Sequence, residues 1–529
     1  MSALSPAGRP APSARPGRAE AAALVGLTAI ALGLRVTSIS RGLFTDEAYS
    51  LALAQRGFGH MLGLFGYEPN GMPYPIVLWP VIRLFGEAEA VLRLPALLAG
   101  TAAVPALWWA VRSYAPSPAP LLAAGLLALN PMATFYSQTA RPYAFVVLAA
   151  CLAFGTLGRA LEDGASRRAW VAYVASMALL GYSEIFAAPL LVPAHGLIAW
   201  RSGRRGLRRW LLSLVALALS CVPLLVAAVI ARGRRDALYW LPKPDRELIV
   251  LTVQEFTAGF SEVTALRWAT LAGATPLVAA ALWRLWARSE RARREAFEIA
   301  ACWGILPILL LLAVSLAKPL FYPRYVILAV PGLCMLLAVA ASTLRSSRRG
   351  LLGASGCTVL VAVAALAADI KQRSALQEDW APAAAVLKAQ RAPGQPTIID
   401  NALVLPTLGY YYPAFRSPGG ELVVQEWRDR PLPAGFVGFK DRTGYGSVPN
   451  GPPTVREFEQ LARSGRGTVW MIVSEVVTEL QGNPREGAAV AWARAHCQIQ
   501  IHMSVGVWLM RASGCPTGAV TTARPVRVG

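Results

Sequence analysis

The chain has 529 residues, 55% of them hydrophobic and only 15% charged, with a mean hydropathy of +0.44. Soluble proteins carry about 25% charged residues, so composition excludes an ordinary soluble enzyme. Lys and Arg number 51 against 30 Asp and Glu, a net charge of +21. Most of that excess lies in short arginine clusters between apolar spans, where it holds loops on the cytoplasmic side and argues against a nucleic-acid partner.

In chain order, residues 1–19 are rich in Pro, Ala and Arg and read as a disordered cytoplasmic segment. The apolar run that follows lacks a convincing cleavage site and reads as an uncleaved first helix. Further runs of spanning length cover about 90–111, 119–138, 141–161, 207–231, 265–287, 297–317, 324–343 and 350–369. The stretch Trp170–Trp200 is too long for one crossing and breaks at Gly181-Tyr182-Ser183-Glu184 into two short helices. Arg167-Arg168 and the clusters 201–209, 288–294 and 345–349 then fall on one side. The loops around Arg141, Glu184 and Lys318–Arg324 fall on the other. Between Asp46 and Tyr114 the number of crossings is odd, so either the weak piece Pro73–Phe85 lies along the surface or the strong run Val91–Val111 is split. The expectation is an all-α polytopic membrane bundle of 11 or 13 spans over residues 20–370, in the plasma (inner) membrane.

The tail, 371–529, changes character, with many Pro and Gly, charges of both signs and short strand-like runs. Residues 397–400, 468–475 and 499–511 read as strands and Val455–Arg463 as a helix, giving a small extracytoplasmic α/β domain. Five cysteines lie in apolar runs and behave as small hydrophobes. Cys497 and Cys515 flank a hairpin and can bridge its ends in an oxidising compartment. No C-x-x-C motif or metal-ligand cluster demands an ion, which leaves a divalent cation as an option rather than a requirement.

Polar groups on the outer side carry the chemistry, because a membrane protein has few other reasons to keep them near the bilayer. Thr45-Asp46-Glu47 opens the amphipathic stretch AYSLALAQ. Thr45 as N-cap with two acids at the positive end of the helix dipole explains this pattern structurally, and it also holds a carboxylate rigidly for removing a hydroxyl proton. Adjacent carboxylates point about 100° apart on a helix, so they cannot flank one glycosidic bond as a hydrolase pair does. One acid does chemistry and the other binds or orients. Between two helices, Tyr136, Arg141 and Tyr143 suit either an aromatic belt with a snorkelling arginine or a cradle for a phosphate and a sugar ring. Lys318, Tyr322, Arg324 and Tyr325 repeat the pattern on the side where cations are disfavoured. Arg232, Arg234 and Arg235 suit an anionic headgroup, and Glu68, Tyr182 and Glu184 add further outer polar groups.

TDEAYS, VLRLPALLAG, LNPMATFYSQTARPYA, GYSE and YPRYVILAVPGL together resemble motifs of C-type-fold glycosyltransferases that use polyprenyl-phosphate sugars. The most similar are family 39 protein mannosyltransferases, lipid A aminoarabinose transferases and galacturonosyltransferase-like proteins of the lipopolysaccharide core. The resemblance covers about 21–345. It departs at Asn70-Gly71-Met72-Pro73-Tyr74-Pro75, where relatives often have His-Pro-Pro or Lys-Pro-Pro-Leu-Tyr, and at Glu184, where many have histidine.

The resemblance implies a sugar donor on a polyprenyl monophosphate and a glycan, lipid or protein acceptor. Asp46 would be the base, with Glu47 beside it, and the anomeric carbon would invert. Arg141, Arg324 and Lys318 would stabilise the leaving phosphate, while the tyrosines bind the sugar. The rival reading is a transporter or flippase of a lipid-linked glycan, whose ionisable groups would gather near mid-membrane on interrupted helices.

Overall fold

The computed structural model describes residues 16–65, 70–162, 164–234, 241–287, 291–345, 347–373, 378–399, 404–416, 420, 422, 436–438, 454–474 and 487–517. Glu68 and Arg235 therefore lie outside the described residues. The chain divides into two compact units, Met1–Ser40 with Phe58–Ala375, and Arg41–Gly57 with Leu376–Gly529. The segment carrying Asp46 thus groups with the C-terminal residues.

The first unit contains α1 (Arg18–Val36), and the second takes in α2 (Thr45–Gln55). The first unit continues with α3 (Phe58–Leu64), α4 (Pro73–Phe85), α5 (Glu89–Val111), α6 (Ala119–Leu129), α7 (Pro131–Ser137) and α8 (Tyr143–Ala160). After these come α9 (Arg167–Ser183), α10 (Ala187–Arg201), α11 (Gly203–Ser220), α12 (Val222–Arg234), α13 (Arg246–Ala258) and α14 (Thr264–Ala287). It ends with α15 (Arg291–Gly304), α16 (Leu306–Ser315), a 3-10 turn (Pro323–Ala329), α17 (Val330–Leu344) and α18 (Arg348–Gln372). Among the described residues 7 helices are long and apolar enough to cross a membrane, or up to 9 if each of two bent pairs is one span. The paired helices α9 and α10, with 17 and 15 residues, stand outside that number.

The run 119–138, expected as one span, is broken by 60° between α6 and α7. Asn130 is extended and caps α7 by accepting from the Ala133 N–H at 2.9 Å, and Pro131 takes the first helical position, where its missing N–H costs nothing. The run 207–231 bends by 48° around Cys221, just before Pro223. The strong run near residue 100 is not split: α5 passes through Pro95 and Pro105 unbroken, and Pro73–Phe85 is a separate 13-residue helix.

Small residues let the helices approach closely. A Cβ on Gly332 would sit 2.4 Å from the Gly304 amide nitrogen, so α15 and α17 cross backbone to backbone. Beside this crossing, the buried Trp303 indole stacks on Phe154 at 3.7 Å and donates to the Leu328 carbonyl at 3.0 Å.

In the second unit, α19 (Trp380–Gln390), α20 (Leu405–Tyr411), α21 (Val455–Ser464) and the helix Ala488–His496 flank a five-stranded sheet. Its strands are β1 (Thr397–Ile399), β2 (Phe436–Gly438), β3 (Val469–Ser474), β4 (Gln498–Ser504) and β5 (Val507–Ser513), in the order β2-β1-β3-β5-β4. β1 runs parallel to β2 and β3, while β3–β5 and β5–β4 are antiparallel. The strands and helix expected at 397, 468, 499–511 and 455 form as read. β3 is buried along its whole length because alternate residues face two cores: Trp470 and Ile472 meet α19 and α20, while Met471 and Val473 meet α21. Cys497 and Cys515 are disulfide-bonded across the β4–β5 hairpin, with Cα atoms 4.5 Å apart.

Candidate active site

The first unit draws distant loops into one polar cluster. The break after α6 turns Tyr136 toward the start of α8, where its ring meets Tyr143 edge to face at 4.7 Å. Phe260, just after α13, packs on Phe135 at 3.9 Å and on Tyr136 at 5.9 Å. From the 3-10 turn, the Arg324 guanidinium lies 5.0 Å over Tyr322 and 5.7 Å over Tyr325, within cation–π reach.

Two buried carboxylates feel the charge of Arg324. Glu184 sits between α9 and α10, and burial pushes its carboxyl up to about 7, opposed by the Asn70 amide and by the charges of Arg324 and Arg141. The Asn70 amide donates to Glu184 Oε2 at 3.3 Å, while its oxygen accepts from the Ile185 N–H at 3.0 Å. Gly71 (φ +78°) lets the chain turn here, its N–H bonding the Tyr182 carbonyl at 3.1 Å. Glu255, on α13, is pushed up to about 8 by burial and held back by Arg324. Glu184 Oε1 and Glu255 Oε2 have no hydrogen-bond partner among the described residues. Glu255 and Phe260 also line an open cavity of about 840 Å³ with Gln254, Glu262 and Arg267.

Arg141, Arg324, Glu184, Tyr136, Tyr143, Tyr322 and Tyr325 are thus brought together, although they come from three separate parts of the sequence. Tyr182 turns away: its hydroxyl donates to the Ser220 carbonyl at 2.9 Å and its ring stacks on Phe65. Lys318 is exposed, and the cations acting on Glu184 are Arg324 and Arg141. Sequence reasoning missed Glu255, whose signal was an acid inside the apolar run LIVLTVQEF. It noted Asn70 only as a departure from a motif.

In the second unit, α2 begins at Thr45 with Phe44, not Thr45, as its N-cap. The expected cap does not form because the Thr45 hydroxyl is taken by Glu378 at 2.6 Å. Glu47 is fully buried, and its carboxylate accepts from the Phe44 N–H at 3.3 Å. Asp46, next to it, is half-buried. Among the described residues, no three His, Cys, Asp or Glu side chains gather to hold a metal ion.

Residues 71–228 match the family model of dolichyl-phosphate-mannose-protein mannosyltransferases. The fold matches ArnT from Cupriavidus metallidurans over 93% of this chain and 98% of that one, at 16% identity and a TM-score of 0.58. The fold is that of the C-type glycosyltransferases. The same ArnT bound to undecaprenyl phosphate matches at 13% identity over 94% of this chain and 98% of that one, with the same TM-score. An oligosaccharyltransferase of Archaeoglobus fulgidus, in complex with Zn and sulfate, matches over 92% of this chain and 72% of that one at 14% identity and a TM-score of 0.53. No curated protein sequence matches the chain.

Proposed function

We propose that the protein is an integral membrane glycosyltransferase that moves a sugar from a polyprenyl-monophosphate donor to an acceptor hydroxyl at the outer face of the membrane. The observation that carries this reading is Arg324 lying over Tyr322 and Tyr325 while it and Arg141, 183 positions apart, both act electrostatically on the buried Glu184. Two guanidinium groups gathered with aromatic rings suit an anionic headgroup and the sugar it carries. The C-type membrane fold and the undecaprenyl phosphate bound by the ArnT structure support the same donor class. The disulfide supports an oxidising, extracytoplasmic setting for the C-terminal domain.

In this reading the Asp46 carboxylate takes the proton of the acceptor hydroxyl. The acceptor oxygen then attacks the anomeric carbon from the face opposite the phosphate, and the carbon–oxygen bond to phosphate breaks with inversion. The electron pair leaves on the lipid phosphate, where Arg141 and Arg324 meet the developing charge. A phosphate needs no proton to leave at neutral pH, so no general acid is required. Asp46 suits the base better than Glu47, because the Glu47 carboxylate is buried and accepts the N-cap amide. Glu184 Oε1 and Glu255 Oε2 offer acceptors for sugar hydroxyls.

The bent α6–α7 pair is also a feature of interrupted transporter helices, and one experiment separates the two readings. The purified protein in lipid nanodiscs is given a panel of polyprenyl-phosphate sugars with glycan, lipid and peptide acceptors, and products are weighed by mass spectrometry. A transferase makes a new glycoside and frees the lipid phosphate. Movement of an intact donor across the bilayer when the same protein is placed in sealed vesicles, with no new glycoside from any pair, would favour the flippase.

A further inference from the structure

Glu378 is a buried carboxylate, only 2% exposed, that no motif of the sequence announced. It accepts from the Thr45 backbone N–H at 2.9 Å and the Thr45 hydroxyl at 2.6 Å. It also accepts from the Trp380 indole at 3.1 Å and from the Ser474 hydroxyl. Trp380 begins α19 and Ser474 ends β3, so the carboxylate is fixed from the helix and the sheet while it grips the first residue of α2. Other contacts tie down the rest of the segment. The Leu43 N–H donates to the Tyr411 hydroxyl at 2.7 Å, and Gln55 Oε1 accepts from the Leu422 N–H at 3.0 Å. α2 also packs on α20.

We propose that Glu378 is a positioning residue for sugar transfer, holding the start of α2 so that the adjacent Asp46 carboxylate keeps one place. This rests on Asp46 being the base. The first turn of a helix has four N–H groups without intrahelical partners, and its positive end favours a carboxylate. Glu378 meets both demands from outside the helix, at the residue next to Asp46. Bonds to an ionised carboxylate are roughly twice as strong as neutral ones. Two of them on one threonine fix both its backbone and its χ1, restricting the peptide plane on which Asp46 is carried. Loss of this grip leaves Asp46 chemically unchanged but lets it wander, and a misplacement of about 1 Å can cost about 100-fold in rate.

The test uses the full-length protein in nanodiscs, with kcat and donor KM measured separately and hydrogen–deuterium exchange followed over the amides of 44–48. Glu378→Ala should lower kcat about 10- to 100-fold, leave donor KM within about twofold and speed exchange at 44–48. Glu378→Gln keeps one acceptor oxygen and should lose less. Thr45→Val removes only the hydroxyl bond and covers the case in which Glu378→Ala fails to fold. Asp46→Asn should abolish most turnover without speeding exchange. Wild-type kcat in both Glu378→Gln and Thr45→Val, or faster exchange with unchanged kcat, would overturn the positioning role, as would an effect confined to KM. Wild-type turnover in Asp46→Asn would instead overturn the reading of Asp46 as base, whatever Glu378 does.

Discussion

The two units stabilise buried carboxylates in opposite ways. Beside Arg324, Glu184 and Glu255 are pushed up to about 7 and 8, and each keeps one oxygen without a hydrogen-bond partner among the described residues. Glu378 is as deeply buried, yet four uncharged donors surround it. A carboxylate fully supplied with donors is a fixture, and replacing it loosens whatever it holds. A half-satisfied carboxylate next to a guanidinium marks a place where charge and hydrogen bonds remain open to a ligand. The first cluster therefore suits exchange of a charged substrate, and the second suits holding one group still.

Four experiments test this contrast. Asp46→Asn should keep the protein folded in the membrane while turnover falls by about two to four orders of magnitude; steady-state assays with normal expression check it. Arg141→Ala and Arg324→Ala should each cut turnover about 10²–10³-fold, as expected for loss of one preorganised donor to developing charge. Lys at either position should restore only part, since the bidentate fork is lost. The double variant should cost less than the sum of the two single losses if the pair acts as a unit.

The third experiment varies pH. Below about 7 for Glu184 and about 8 for Glu255 these carboxyls are neutral, so Arg324 and Arg141 face a phosphate without internal competition. Donor affinity should therefore fall as pH rises from about 6 to 9, and Glu184→Gln should remove the lower part of that fall. Both folded-state values lie above the ordinary 4.5. The stability these groups contribute is thus complete below about 4.5 and lost as pH rises through 7 and 8; chemical denaturation against pH reads it. The smallest effect is expected in the second unit. Replacing Cys497 and Cys515 by Ser opens a loop with a sequence separation of 18 and should cost about 2–3 kcal/mol in that unit's stability, while donor affinity stays as in the wild type.

Much of the fold was legible because spanning helices and buried strands announce themselves by length and apolar run. The turn at Gly181–Glu184 and the strands near 397, 468 and 499–511 were readable on those grounds. The break at Asn130–Pro131 was not, because proline at a first helical position looks the same as proline tolerated inside a helix, as Pro95 and Pro105 are in α5. At the site, Arg141 and Arg324 were visible as cations in loops expected on the side that disfavours them. Glu255 was hidden in an apolar run, and Asn70 looked like a lost motif until its amide was seen bridging Glu184 and Ile185. Glu378 was invisible for a different reason. Its partner Thr45 lies 333 positions away, and no periodicity links two such residues.

Direct binding tests whether Arg141 and Arg324 together hold the donor's phosphate, without any need to know the sugar. Undecaprenyl phosphate is titrated into wild-type protein, Arg141→Ala, Arg324→Ala and Glu184→Gln in nanodiscs, with occupancy read by native mass spectrometry. Each arginine variant should weaken binding at least tenfold, while Glu184→Gln should bind as tightly as the wild type or more tightly. Wild-type occupancy in both arginine variants would contradict that role.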